Sequence, residues 1–95
     1  MNLRFYIDPE TGEPHIYNHG VNEEEVEFVL ASPGEDRPAR EGSRSAVGQT
    51  AEGRFLRVLY VRDPRPGGLF VITAYPMAGK PLKAYRRRMG GGSTK

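Results

Sequence analysis

Apolar residues concentrate between Ala46 and Met77, in the runs AVGQT, RFLRVLYVRD and LFVITAYPM, which are separated by glycine-containing turns. Phe55, Leu56, Val58, Leu59, Tyr60 and Val61, then Leu69, Phe70, Val71, Ile72 and Tyr75, are β-branched, aromatic or large aliphatic types that suit a pleated surface. The pattern predicts a three-stranded antiparallel meander: a strand over residues 44–50, a second from Arg54, and a third after the 63–68 turn. Neither long run alternates cleanly between apolar and polar, so these strands are expected to be apolar on both faces and central in the sheet. Gly48 thins the first of them, where a neighbouring backbone or ligand is expected to approach closely.

The flanking segments must cover that sheet. Residues 3–7 (LRFYI) read as a short first strand that ends at Asp8-Pro9, because proline has no N–H for a ladder. Residues 10–18 hold Gly12 and Pro14 without helical periodicity and read as an irregular excursion. Asn22 then signals a helix. Glu25 completes a capping box with it, Val21 and Val26 form a hydrophobic staple, and the clustered glutamates complement the helix dipole. Val26, Val29 and Leu30 share one face of this helix, with Phe28 beside it, and Ser32-Pro33-Gly34 stops it. Residues 34–45 are polar with alternating charge and read as a mobile loop. A last helix over residues 80–89 has Pro81 at its first position and Gly90 past its end, with Leu82, Tyr85 and Met89 as its apolar side. The expected fold is α+β: a short N-terminal strand plus the meander, with helices packed on one side. One domain spans 1–89, followed by a flexible tail over 90–95.

Composition narrows the possible chemistry. A 95-residue chain has one small core, so no large enclosed pocket is expected. The absence of cysteine excludes disulfides, thiolate nucleophiles and Cys-based zinc sites, and suits a reducing, cytoplasmic setting. No signal-peptide h-region or membrane-spanning run is present, so a soluble protein is expected. Charge is distributed unevenly, with nine acids and one base in residues 1–36 and thirteen bases and three acids in residues 37–95. Either the two parts neutralise each other across the fold, or the basic part meets an anionic partner such as nucleic acid.

Nucleotide-binding glycine loops, serine-hydrolase elbows and zinc-protease helices have no counterpart in the sequence. His15 and His19 lie four apart in a proline-containing segment, without the helical face that would make them a metal pair. What remains is His19, several arginines and a set of tyrosines. These types suit metal-free RNA cleavage, in which the ribose 2′-OH attacks the adjacent phosphate. The step needs a base for the hydroxyl, cations for the phosphate oxygens and a proton for the leaving oxygen. Arginine suits the phosphate because its planar fork stays charged and binds oxyanions through two bonds.

Asp8-Pro9, Asn18-His19-Gly20-Val21 leading into Glu24-Glu25-Val26, Gly48-x-Thr50-x-x-Gly53-Arg54-x-Leu56-x-Val58, Ile72-Thr73-Ala74 and Tyr85-Arg86-Arg87-Arg88 occur in that order. Together they resemble the BrnT toxin family, over about residues 5–88. The resemblance implies a RelE-like fold with a twisted antiparallel sheet. It also implies the toxin of a type II toxin–antitoxin pair, an endoribonuclease of the mRNA interferase type that needs no cofactor. Its partners would be an RNA substrate and a cognate antitoxin carrying a DNA-binding segment, and any oligomer would form through that antitoxin.

Each candidate residue has a chemical role and a plainer one. His19 is the candidate general base, or fixes the loop before the helix by backbone hydrogen bonds. Arg54 is the candidate phosphate ligand, or pairs with an acid such as Glu52. Tyr85 stacks on a base or donates a proton, or simply packs with Leu82. Arg86 and Arg87 are candidate RNA-backbone contacts, or serve the helix C-terminus; Arg44 and Arg57 are further RNA-binding candidates on the sheet. A second functional class stays open beside the ribonuclease. It is a small non-catalytic module that binds a protein partner or nucleic acid.

Overall fold

The two longest apolar runs occupy the middle of the sheet. In the computed structural model, which describes residues 2–90, the strands are β1 (Asn2–Phe5), β2 (Glu35–Pro38), β3 (Arg44–Gln49), β4 (Phe55–Arg62) and β5 (Gly68–Pro76). Two helices, α1 (Glu23–Ala31) and α2 (Gly79–Gly90), complete an α+β domain, with a 3₁₀ helix at His15–His19 before α1. The strands lie in the order β1-β5-β4-β3-β2. The predicted meander is β3–β4–β5, paired antiparallel, with Val47 opposite Arg57, and Arg57 opposite Tyr75.

Three features differ from the sequence reading. First, β1 joins the edge of β5 in parallel, so the sheet is mixed. Second, the expected loop at 34–45 contains β2, which pairs antiparallel with β3. Its sequence, EDRP, has little strand propensity, so its partners are what hold it. Asp36 accepts hydrogen bonds from the buried Tyr60 hydroxyl and from Arg44 Nε, and Glu35 accepts a bidentate pair from Arg88 at 2.9 and 3.0 Å. A short, charged strand ending in proline also protects the sheet edge from further pairing.

Third, the helices do not share one side. Ala46, Leu56, Val58, Val71 and Ala74 are fully buried with Val26 and Val29 of α1, and each such valine contributes about 1.5–3 kcal/mol relative to exposure. Val47 follows Ala46 and projects from the opposite face, where it clusters with Met77, Tyr85, Phe55 and Leu82. Helix α2 therefore covers part of the second face.

The α1 signals translate directly into structure. Asn22 Oδ1 accepts the Glu25 N–H at 2.8 Å, and Glu25 Oε1 accepts the Asn22 N–H at 3.1 Å. The close approach expected at Gly48 is to this helix, since a β-carbon there would sit 3.2 Å from Val29 Cγ1. Phe28 and Met89 lie outside the core, each 51% exposed. Helix α2 runs through Gly90, and the remainder of the predicted tail lies outside the described residues. No helix among the described residues is long and apolar enough to cross a membrane.

Candidate nucleic-acid interface

Strand alternation gathers Ser45, Arg57, Leu59, Thr73 and Tyr75 on the sheet face that α2 leaves uncovered, because residues opposite one another across a ladder share a face. There Ser45, Arg57, Leu59 and Tyr75 line an open groove of about 490 Å³, together with Ala78, just before α2, and Pro81 in its first turn. Arg57 Nη1 donates to the Ser45 hydroxyl at 2.6 Å, which orients the guanidinium. The Thr73 hydroxyl oxygen, beside Tyr75, is buried without a hydrogen-bond partner.

His19 ends the 3₁₀ helix, beside Tyr75 of the groove. Its imidazole is edge-on to Tyr75, with ring centroids 6.0 Å apart, and His15 follows at 5.2 Å from His19. Gly20, at φ +71°, turns the chain out of this helix toward α1. Ile16, from the same short segment, is buried in the α1-side core and anchors it.

Arg54 lies behind His19 rather than in the groove. Its Nη2 donates to the Gly20 carbonyl at 3.1 Å, and its Nε is 3.4 Å from Glu25, so the guanidinium ties the loop after His19 to the cap of α1. The acid it pairs with is Glu25, not Glu52. Tyr85 is 5% exposed and packs edge-on against Phe55 with centroids 6.0 Å apart. Burial raises the pKa of its hydroxyl above the usual tyrosine value. Arg86 lies over the outer part of the same cluster, 5.5 Å from the Phe55 ring, and Arg87 is exposed on α2. Arg44 belongs to the other face, where Asp36 and Tyr60 hold it.

The structure thus places Arg57 in the groove and His19 against Tyr75 of its lining, puts Arg54 in support of His19, and places Tyr85 and Arg44 elsewhere. Sequence reading missed Tyr75, Ser45 and Thr73. Their signal was the period of two along paired strands, which becomes usable only once the register is known. Among the described residues, no group of three or more His, Asp or Glu side chains could hold a metal ion. The chain matches no protein-family model, and no curated protein or solved structure matches it significantly.

Proposed function

We propose that this chain is the toxin of a type II toxin–antitoxin pair, a metal-independent endoribonuclease that holds RNA across the open sheet face. One juxtaposition carries the reading: Arg57 stands directly opposite Tyr75 in the ladder, and the exposed His19 imidazole packs against Tyr75. A cation for phosphate and an aromatic face for a base line one open groove, and an imidazole for proton transfer stands against that aromatic ring. In this reading His19 removes the proton from the ribose 2′-OH, and the Arg57 guanidinium takes the equatorial phosphate oxygens as charge builds on them. Arg54 keeps the His19 loop in place. Arg86 and Arg87 extend a basic track along α2. The resemblance to BrnT toxins supplies the expected partner, an antitoxin with a DNA-binding segment.

A second reading is a non-catalytic binding module on the same face. It is favoured by the engagement of Arg54 with Glu25 and by the burial of Tyr85, which leave fewer groups free for chemistry. Induced expression of wild type, His19→Ala and Arg57→Ala in bacteria separates the two when growth and total RNA are read together. Arrest with RNA cleavage by wild type, lost in both folded variants, is the expected result. Normal growth and intact RNA with soluble wild type would favour the binding module.

A further inference from the structure

The turn after β1 and the 3₁₀ helix set a second imidazole beside His19. Asp8 Oδ1 accepts the Glu10 N–H at 2.8 Å, Asp8 Oδ2 accepts an Asn18 Nδ2–H at 2.7 Å, and His15 Nδ1 lies 3.4 Å from both that Oδ2 and Asn18 Nδ2. The Glu10 backbone donor, then Asn18, holds the Asp8 carboxyl below the usual carboxylate range. Near neutral pH it is an ionised acceptor, and a His15 imidazolium, with a proton on each nitrogen, donates to it through Nδ1–H. That leaves Nε2 to exchange protons. This is the arrangement by which a buried carboxylate orients a catalytic histidine. The Asp8 side chain is 13% exposed, whereas His15 keeps a third of its surface in solvent.

Three titratable groups face the His15–His19 pair, whose own rings are 5.2 Å apart: Asp8 from the turn, Tyr6 just after β1 with its ring 6.1 Å from His15, and Tyr75 against His19. An in-line displacement at phosphorus has its entering and leaving oxygens on opposite sides, so proton removal and proton delivery call for two separate groups.

The geometry points to His15 as the general acid of the cleavage, with Asp8 as its positioning residue and His19 as the base. It rests on the ribonuclease reading. His19 takes the 2′-OH proton, the 2′-oxygen bonds to phosphorus, and the bond from phosphorus to the 5′-oxygen breaks. The leaving oxygen takes the proton of His15 Nε2. The products are a 2′,3′-cyclic phosphate and a free 5′-hydroxyl, and both imidazoles regain their starting states by exchange with water.

The test uses an RNA oligonucleotide carrying a linkage that the wild type cuts in total RNA, made with either the natural 5′-oxygen or a bridging 5′-sulfur. A thiolate leaves without needing a proton. His15→Ala is expected to slow cleavage of the oxygen substrate by about 10²–10⁴-fold, the range for loss of one general acid, and to cut the sulfur substrate nearly as fast as wild type. His19→Ala is expected to slow both. Asp8→Asn is expected to slow the oxygen substrate more than the sulfur substrate, because the carboxylate that orients the His15 ring is lost; this variant decides the matter if His15→Ala does not fold. Equal slowing of both substrates by folded His15→Ala, or no slowing of either, overturns the assignment while leaving the ribonuclease reading intact. A wild type that cuts no RNA overturns the ribonuclease reading itself, and this inference with it.

Discussion

The hydroxyl of Tyr85 occupies the space that a β-carbon at Gly34 would need. Residue 34 is where the chain leaves α1 for β2, and its N–H donates to the Val47 carbonyl at 2.9 Å. The aromatic ring of α2 therefore lies over the start of β2, and a β-carbon there would also come within 3.2 Å of Tyr85 Cζ. Together with the Arg88–Glu35 pair, this contact makes α2 and the edge strand one packing unit.

Gly34→Ala is expected to cost about 1–3 kcal/mol, the range for overpacking a close-fitting site. Tyr85→Phe in the Gly34→Ala background should recover much of that loss, because the hydroxyl is the atom in the way. Denaturant unfolding of the two single variants and the double variant checks this, with the double less destabilised than the sum of the singles.

Arg54→Ala is expected to lower stability by about 1 kcal/mol, the upper end for a partly exposed ion pair. In a domain of this size, that shifts the melting temperature by about 4–8 °C. Arg54→Lys should keep the charge near Glu25 but lose the fork that reaches both Glu25 and the Gly20 carbonyl, giving an intermediate melt. Thermal melts of the three proteins test the positioning role; identical melts would return Arg54 to the list of groups free to bind phosphate.

Acid should weaken the fold. The Arg88 hydrogen bond holds the Glu35 carboxyl below its ordinary range, and the Arg65 N–H, then Arg4, does the same for Asp63. Since the folded pKa of each lies below its unfolded value, the stabilisation is present above the unfolded pKa of about 4 and disappears as pH falls through the folded one. Melting temperatures measured between about pH 6 and pH 2 should therefore fall toward the acid end. Arg88→Ala should flatten part of that fall, and a slope unchanged by the substitution would show that the Glu35 pair contributes nothing measurable.

The sequence by itself determined the elements whose signals are local. The capping box at Asn22 and Glu25, the stripe of Val26, Val29 and Leu30, and the strands on either side of the 63–68 turn all depend on residues a few positions apart, and the structure carries each of them. Tertiary structure decided the rest. Strand β2 exists because Asp36 and Glu35 find Tyr60 and Arg88 far along the chain, besides the nearer Arg44, and no local propensity announces that. The same holds for the candidate site. His19, Arg54 and Arg57 are legible as chemistry-bearing types, but pairing register sends Arg57 into the groove and long-range hydrogen bonding takes Arg54 out of it. Which face a strand residue presents depends on register, and register is set by contacts between segments that the linear pattern leaves far apart.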